Sequence, residues 1–444
     1  MSGRIFGKQL NVFQIIIWGF LTLILLGAGL LMLPAASSAG CWTPVEDALF
    51  TATSAVCVTG LVVRDTATHW SFFGQAVILV LIQIGGLGVA TVTTLVATVS
   101  GRKITLLQRS MLQECISAHQ VGGVVKLTCF ICKVALLAEL LGALLMLPTF
   151  LPLYGPAGIW MALFHSVSAF CNAGFDIMGD QTGLYSSLTA FSDRVGLVVP
   201  VMLLIVTGGI GFLTWDDMAK HGFRFKRYRM QSKVILTATA AFILLPATIF
   251  FFDDFADFGL KERVLTSLFH AVTPRTAGFN TVDLGRLTST GRALTVVLML
   301  VGGAPGSTAG GVKTTTVAVL LSNVSAVIRR RKDPRLFNRR IDEDTVKCAS
   351  TLLMLYLFLV LLGAFILSAA EGLPFETCLF ETSSAIGTVG LSLGVTPGLG
   401  LLSRVVLMGL MFFGRVGALT LLFAAVGSTN AQVAQYPLGQ INVG

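Results

Sequence analysis

Charged residues are scarce in this chain of 444 residues. They make up 12% of the sequence, whereas hydrophobic residues make up 54%. An average soluble domain is about 25% charged, so an ordinary soluble globule is excluded. The net charge of +9 would suggest nucleic-acid partners in a soluble protein. No nucleic-acid-binding motif accompanies this charge, however, so nucleic acid is not predicted as a partner.

Motifs that carry catalysis or metal binding are also lacking. The eight cysteines form no disulfide framework. Cys129 and Cys132 lie in an apolar stretch with no second pair or histidine at metal-ligand spacing, so we interpret them as packing residues. One glycine-rich segment approaches a phosphate-binding loop, but Val312 stands before Lys313 where that loop requires glycine. With no Ser-His-Asp set either, the sequence does not favour an enzyme.

Long apolar runs are abundant instead. A run of about 20 residues spans the apolar core of a bilayer. Eight are found, at 12–33, 72–99, 124–147, 195–215, 234–252, 293–328 (interrupted), 349–370 and 401–426. The first is predicted to be a retained helix, because no small-residue cleavage site follows it. The sequence therefore predicts an all-α membrane protein with eight transmembrane helices.

Basic residues mark one side of the predicted bilayer. They cluster before the first run and after the second, fourth and sixth, and include Arg4 and Lys8, Arg102, Lys103 and Arg109, and those within 220–233 and 329–347. Most acidic residues lie at the opposite junctions. Short loops rich in lysine and arginine stay in the cytoplasm, so both termini are predicted to be cytoplasmic.

The segments between paired runs resemble one another. Each contains a Leu-Phe pair, then small and hydroxyl residues, then a glycine that precedes Leu or Phe. These glycines are Gly60, Gly174, Gly278 and Gly390, spaced by 104 to 114 residues. Such spacing indicates internal repeats. We predict repeats at 1–105, 106–222, 223–340 and 341–430, followed by a C-terminal tail at 431–444.

Each of these segments is predicted to enter the membrane from outside and to return. Thr43 and Pro44 read as an N-cap and first helical residue in the first copy, and Pro374 plays the same part in the fourth. About 12 residues of helix cannot cross a bilayer. Irregular backbone at that depth survives only where protein encloses it around a water-filled cavity. The sequence thus predicts four helix–pore loop–helix pseudo-repeats around a central ion pore.

The residues that end each pore loop contain no carboxylate. They are Cys57, Val58, Thr59 and Gly60; Cys171, Asn172, Ala173 and Gly174; Arg275, Thr276, Ala277 and Gly278; and Gly387, Thr388, Val389 and Gly390. Backbone carbonyls are therefore predicted to replace the hydration shell of an alkali cation. The negative ends of the four short helices favour a cation in the same place. We predict that these residues form a selectivity filter.

A second glycine motif follows in the outgoing helices, at 85–88, 208–211, 302–311 and 414–417. In the first two repeats we interpret it as close helix packing through small residues. The third copy consists of Gly302, Gly303, Ala304, Pro305, Gly306, Ser307, Thr308, Ala309, Gly310 and Gly311. It cannot continue a helix, since glycine costs about 1 kcal/mol and proline about 3 kcal/mol relative to alanine. Two interpretations of this segment are open: a simple kink in the helix, and a mobile loop below the filter.

Several charged and polar residues fall within the apolar runs. Arg415 lies at membrane depth, where a charge costs at least about 2.5 kcal/mol, so we expect it to face the cavity and bond to carbonyls of the broken segment. Lys133 is predicted to pair with Glu139. His165 and His270 are predicted to form hydrogen bonds within their pore loops.

The pore-loop sequences at 53–60, 168–174, 273–279 and 384–390 resemble the Trk/Ktr/HKT superfamily over nearly the whole chain. With eight runs and compact length, the chain is most similar to the membrane subunits of bacterial Ktr systems. This resemblance implies potassium uptake across the cell (inner) membrane, with sodium ion often required as an activator or in symport. It also implies a homodimer and a cytosolic ring of nucleotide-binding KTN/RCK subunits, with the C-terminal tail near the dimer interface. By the same resemblance, 302–311 is an intramembrane gate, with Arg415 its partner and Lys313 in the same plug.

Glycine at all four filter positions resembles the potassium-preferring members, because serine in place of Gly60 marks sodium-conducting plant relatives. Cys57 and Cys171 depart from the hydroxyl-rich pattern of the family. Two alternatives are open: a sodium-selective pathway on the same scaffold, and a membrane receptor that conducts nothing.

Overall fold

A computed structural model describes residues 4–5, 8–9, 11–100, 104–116, 123–418, 420–421 and 424. The predicted tail at 431–444 and the basic residues Arg102 and Lys103 lie outside these ranges. Within them, the chain forms 18 α-helices and two antiparallel two-stranded hairpins. The strands are β1 (Arg4–Ile5) with β2 (Lys8–Gln9), and β3 (Arg335–Leu336) with β4 (Arg339–Arg340). The predicted helical fold class is confirmed.

The helices follow one order four times: a long helix, a short helix that ends at the pore loop, and an outgoing helix, which is interrupted in the first three repeats. The first repeat has α1 (Val12–Met32), α2 (Val45–Val56), α3 (Thr66–His69), α4 (Phe72–Leu87) and α5 (Val89–Val99). The second has α6 (Leu106–Ile116), α7 (Val124–Tyr154), α8 (Ala157–Phe170), α9 (Gly179–Thr182), α10 (Val195–Gly209) and α11 (Phe212–His221). The third has α12 (Met230–Phe252), α13 (Leu260–Val272), α14 (Ser289–Leu300) and α15 (Thr314–Ile328). The fourth has α16 (Glu343–Glu371), α17 (Phe375–Gly387) and α18 (Leu401–Val416).

The four long helices α1, α7, α12 and α16 form the periphery. Each is long and apolar enough to cross a bilayer without help from a neighbour. Their outer faces carry exposed leucines, such as Leu136, Leu140 and Leu144 on α7. An exposed apolar surface of this size is stable only against lipid, so the chain is an integral membrane protein.

The short helices α2, α8, α13 and α17 form the centre. Their last turns are almost completely buried, and many of the buried side chains are hydroxyls: Thr51, Thr53 and Ser54; Ser166 and Ser168; Thr266 and Ser267; Thr382, Ser383 and Ser384. Hydroxyl groups are thus concentrated at the centre of the molecule, among buried apolar side chains. A polar centre inside an apolar shell is what a route for ions through a membrane requires.

The short helices begin one residue later than the sequence predicted. Pro44, not Thr43, is the residue that caps α2, and it has extended backbone geometry; Pro374 caps α17 in the same way. The Thr43 hydroxyl instead lies 3.3 Å from the Nε2 atom of His69. Acidic residues in the first turn, such as Glu46 in α2, stabilise the positive end of the helix dipole in place of a hydroxyl cap.

The outgoing helices of the first two repeats are interrupted as well, although the sequence predicted a break only in the third. α4 and α5 meet at 95° and α10 and α11 at 98°, so the spans predicted at 72–99 and 195–215 are bent helix pairs and not continuous helices. The bends occur at Gly88 and Gly211, whose φ angles are 89° and 87°. Because glycine has no Cβ, it adopts this left-handed region freely and turns the chain. Gly417, with φ 91°, ends α18 in the same manner.

The glycine before each break brings the outgoing helix against the pore loop of its own repeat. A Cβ on this glycine would collide with the backbone carbonyl oxygen at the end of the short helix: Gly85 with Val56, Gly208 with Phe170, and Gly414 with Ile386. The predicted close packing is therefore present, but the partner is the pore loop and not another spanning helix.

We expect Gly414→Ala to destabilise the protein by about 1–3 kcal/mol, because the new methyl group would overlap backbone that has no free space to move. Gly409→Ala is the matched control in the same helix, since a Cβ there meets nothing within 4 Å. The control should be as stable as the parent or more so, given the helix propensity of alanine. Thermal unfolding in detergent measures both, and equal midpoints for the two variants would contradict this packing.

Candidate functional site

The four filter glycines lie in a closed ring. A Cβ on any of them would lie against the carbonyl oxygen that precedes the glycine of the next repeat. The contacts run from Gly60 to Ala173, from Gly174 to Ala277, from Gly278 to Val389, and from Gly390 back to Thr59. The four pore loops therefore surround one axis in sequence order. Repeats 1 and 3 face each other across it, as do repeats 2 and 4.

The backbone of the filter is strained at one position in every repeat. The second residue before each glycine has a left-handed φ, although none of these residues is glycine: Val58 (56°), Asn172 (57°), Thr276 (73°) and Thr388 (50°). Such a conformation costs on the order of 1 kcal/mol or more, and it is especially rare for β-branched residues. Because this conformation recurs in four loops of different sequence, we infer that the four loops share one functional backbone geometry.

The carbonyl oxygens of the filter are buried without protein partners. Within the part of the chain that the structure describes, no hydrogen bond reaches the carbonyls of 57–60, 171–174, 275–278 or 387–390. Nearly all these residues are fully buried. Buried backbone carbonyls are normally hydrogen-bonded, and those left over need a water or a cation. The arrangement suits a dehydrated cation held by rings of main-chain oxygens.

Hydroxyl groups on the short helices hold the returning chain. In the first and fourth repeats, the filter glycine donates its N–H to a serine Oγ at 3.1 Å: Gly60 to Ser54 and Gly390 to Ser384. In the second and third, a hydroxyl donates at 2.7 Å to the carbonyl after the glycine: Ser168 to Phe175 and Thr273 to Phe279. These bonds hold each filter segment against its short helix. They leave the carbonyls of the filter residues without a hydrogen bond from the described residues.

Side chains at the third position before the glycine turn towards the surrounding helices. The Cys171 Sγ lies 3.5 Å from Oε1 of Gln83 on α4. The buried Arg275 donates to the Thr239 hydroxyl of α12 at 3.4 Å. These two filter residues therefore turn their side chains away from the pathway and offer it their backbone.

Acidic residues lie at the outer mouth of the ring. A cavity of about 120 Å³ above the four glycines is lined by Asp65, Asp176 and Asn280, among others. Burial raises the pKa of the Asp176 carboxyl to about 6, and the negative charge of Asp65 adds to this shift. Carboxylates at the mouth raise the local concentration of cations. The sequence predicted most acidic residues to lie on this side of the membrane, but it did not indicate that these two lie at the ring.

A buried carboxylate joins the first and fourth repeats near the same mouth. Asp47 on α2 accepts a hydrogen bond from Nε of Arg64 at 2.7 Å and from Nη1 of Arg404 at 2.8 Å. Arg64 belongs to the chain that returns from the first filter segment, and Arg404 belongs to α18. Since the carboxylate is buried and doubly paired, this contact closes the ring between its last and first repeats.

The broken segment of the third repeat lies on the inner side of the filter. No helix forms between Leu300 and Thr314. Its backbone and side chains bond to neighbours on both sides: Ala304 N–H to the Gly209 carbonyl (2.9 Å), the Thr308 hydroxyl to the Phe170 carbonyl (3.1 Å), and Gly311 N–H to the Gly414 carbonyl (3.3 Å). A Cβ on Gly310 would collide with the Thr388 side chain, so the segment touches the filter itself.

Arg415 connects opposite sides of the ring beneath the filter. Its guanidinium donates to the Thr308 carbonyl of the broken segment, as the sequence predicted. It also donates to the carbonyls of Gly85 and Gly86, the latter at 2.8 Å, which the sequence did not predict. Thr308 belongs to repeat 3 and the two glycines to repeat 1. Because these repeats face each other, the guanidinium spans the space under the filter.

A second cation accompanies Arg415. Lys313 donates from Nζ to the Ala309 carbonyl at 2.7 Å and so belongs to the same segment. Both cationic residues line a cavity of about 280 Å³ that continues towards the inner side. A fixed positive charge in a confined space opposes the passage of a cation.

Two predictions about buried polar residues need correction. Lys133 is exposed on another face of α7, and Glu139 accepts instead from Nε2 of Gln83 at 2.9 Å. His165 bonds within its short helix, to the Met161 carbonyl at 2.7 Å. His270, in contrast, lies 3.1 Å from the Thr295 hydroxyl of α14, outside its pore loop. A spacing of six residues does not bring Lys133 and Glu139 to one helix face, which explains the first error.

Together, the fold and the site define an integral membrane protein in which four re-entrant loops surround one axis. The family model described as "TrkH: Cation transport protein" matches residues 8–432. The chain therefore belongs to this family of cation transporters and is not an enzyme.

Similarities to individual proteins support this family membership. The chain is 40% identical to the "Potassium/sodium uptake protein NtpJ" of Enterococcus hirae, over 97% of this chain and 96% of the relative. It is 38% identical to the "Ktr system potassium uptake protein B" of Bacillus subtilis, with the same coverage of 97% and 96%. The crystal structure of the potassium transporter TrkH from Vibrio parahaemolyticus matches with a TM-score of 0.69 at 18% identity, over 92% of this chain and 84% of that one. This last similarity concerns the fold.

Proposed function

We propose that the chain takes up potassium ions across the cell membrane and is the pore-forming subunit of a Ktr-type system. The closed ring of buried carbonyls without protein partners carries this proposal. Its charge and chemistry suit a dehydrated monovalent cation. The names of the relatives, two of which specify potassium uptake by a Ktr system protein B, support the choice of potassium.

Sodium enters the proposal as an activating or co-transported ion. The relative NtpJ is named as a potassium/sodium uptake protein, which supports a part for sodium. The same name favours one alternative, a sodium-selective pathway on this scaffold. Glycine in the ring at Gly60, Gly174, Gly278 and Gly390 supports a preference for potassium, by resemblance to the potassium-preferring members of the superfamily.

The proposed assembly is a homodimer in the cell (inner) membrane, with both termini in the cytoplasm and a cytosolic KTN/RCK nucleotide-binding ring as regulator. The printed names of the Ktr relatives, which refer to a system, support a further subunit. The basic stretch at 329–332 and the hairpin of β3 and β4 lie beyond the inner end of α15, which supports the orientation by the positive-inside rule.

The broken segment at 302–311 is proposed to be the gate, held shut by Arg415 and assisted by Lys313. Its support is the bridge between repeats 1 and 3, since a guanidinium in that position blocks the axis. Hydrogen bonds from a charged group contribute about 1.5–3 kcal/mol each. The gate opens when these bonds are exchanged for other partners, and a loop of glycines adapts easily to the change.

Growth of a potassium-uptake-deficient bacterial strain tests the function directly. Expression of the chain together with a Ktr regulatory subunit should restore growth at low external potassium, and uptake should rise when sodium is added. A receptor that conducts nothing would not restore growth. A sodium-selective pathway would take up sodium without correcting the potassium requirement.

Gly60→Ser should lower the preference for potassium over sodium on the order of tenfold, which corresponds to about 1.4 kcal/mol between the two ions. The new Cβ would collide with the Ala173 carbonyl and displace an oxygen of the ring. Gly40→Ser is the control, because Gly40 also has a positive φ (66°) but open space around it. Uptake of each cation in proteoliposomes measures the ratio, and an unchanged ratio in Gly60→Ser would reject the filter assignment.

Arg415→Ala, or deletion of 304–310, should raise flux without the regulatory subunit about tenfold or more, because the bonds that close the axis are lost. Arg330→Ala, at an exposed arginine beyond α15, is the control and should leave the leak unchanged. The measurement is efflux from vesicles that contain purified protein. If Arg415→Ala leaks no faster than the parent, the segment is not a gate.

A further inference from the structure

A buried carboxyl group lies behind the second filter segment. Glu139 is in the middle of α7 and is 4% exposed. Its Oε1 accepts a hydrogen bond from Nε2 of Gln83 on α4 at 2.9 Å. The other end of the Gln83 amide, Oε1, accepts from the Sγ of Cys171 at 3.5 Å. Three side chains thus connect a peripheral helix to the filter.

The order of donors and acceptors in this chain is fixed from the outer end. The Glu139 carboxyl oxygen accepts from the NH₂ end of the Gln83 amide. The amide oxygen must then face inwards, where the thiol of Cys171 is the donor available to it. Without Glu139, neither of the two remaining side chains would prevent the amide of Gln83 from turning over and presenting its N–H groups to the Cys171 thiol.

The surrounding packing keeps these groups in contact. A Cβ on Gly86, one turn after Gln83, would lie 2.7 Å from the Cys171 Sγ, so α4 approaches the filter closely here. The Ser166 hydroxyl on α8 donates to the Glu139 backbone carbonyl at 2.5 Å and ties α7 to the same pore loop. A displacement of Gln83 would therefore reach the filter backbone at Cys171.

The other filter segments are held differently. At the position that corresponds to Cys171, the third repeat has Arg275, which bonds to Thr239, and the fourth has Gly387, which has no side chain. The first has Cys57, whose Sγ makes no hydrogen bond within the described residues. The second segment is thus the one whose position depends on an amide and a carboxyl from two spanning helices.

We propose that Gln83, oriented by Glu139, is a positioning residue for the filter and sets the ion preference of the pathway through Cys171. The inference rests on the proposed function, because ion preference has meaning only for a conducting chain. Neither residue touches the ion. Their effect is to hold the carbonyls of the second segment in register with those of the other three.

Gln83→Leu and Glu139→Leu should each lower the ratio of potassium to sodium uptake on the order of fivefold, the factor that corresponds to one net hydrogen bond. Glu139→Gln should keep most of the parent ratio, since its amide oxygen can still accept from Gln83. The measurement is uptake of both ions into proteoliposomes that contain the full-length dimer, with detergent unfolding temperatures recorded for every variant.

Gln75→Leu is the matched control. Gln75 also lies on α4, about two turns before Gln83. It donates to the Trp70 carbonyl at 3.2 Å and accepts from the Trp160 indole of α8 at 2.8 Å. The control should lose stability as the Gln83 variant does but keep the parent ion ratio. Equal ratios in Gln75→Leu, Gln83→Leu and the parent would overturn the inference, as would equal losses of the ratio in Gln75→Leu and Gln83→Leu.

A double-mutant cycle covers the case in which Gln83→Leu fails to fold. Cys171→Ala removes the thiol with little change of volume, and we expect Glu139→Leu to add little further loss of ion ratio in that background. Fully additive losses would overturn the proposed connection. If the parent protein itself transports no potassium, the proposed function fails. If the parent is selective for potassium and the variants keep the same ion ratio, only the inference about Gln83 fails.

Discussion

The exchange of water for main-chain oxygen is the constraint on which the rest of the structure depends. A cation gives up its hydration shell only where other oxygens replace it, and buried carbonyls in turn need a partner. The four filter segments bring both needs to one place, where carbonyls are packed against each other from repeat to repeat without protein donors. The left-handed backbone at Val58, Asn172, Thr276 and Thr388 is a cost of this arrangement. The hydroxyl bonds and the Asp47 ion pairs around the ring offset it.

The inner side of the filter differs, because backbone carbonyls there accept hydrogen bonds from the guanidinium of Arg415. Glycines that allow the outgoing helices to approach the pore loops also leave carbonyls free at their ends, and Arg415 uses those of Gly85 and Gly86. An intramembrane guanidinium is expensive unless such acceptors surround it. The same bonds that satisfy Arg415 connect opposite repeats, so the energetic need of the arginine and the closure of the axis are met by one contact.

Much of this could be predicted from the sequence, because repetition is visible there. Four glycines at similar spacing, each after a segment too short to cross a bilayer, were sufficient to predict the re-entrant loops, and the sequences of those loops carried the resemblance to the family. Contacts between repeats were harder to predict. Nothing near Gln83, Glu139 or Asp47 in the sequence indicates their partners, which lie on other helices. The bends at Gly88 and Gly211 were missed because the glycines at 85–88 and 208–211 were interpreted as sites of close helix packing, which is compatible with a continuous helix.

The most direct test of the central claim is to locate the ion itself. Crystals of the protein in rubidium or thallium salts would give an anomalous signal for a cation of similar size to potassium. The account predicts peaks on the axis of the ring, surrounded by backbone oxygens of 57–60, 171–174, 275–278 and 387–390. Peaks bound by side-chain carboxylates away from that axis, with none inside the ring, would contradict it.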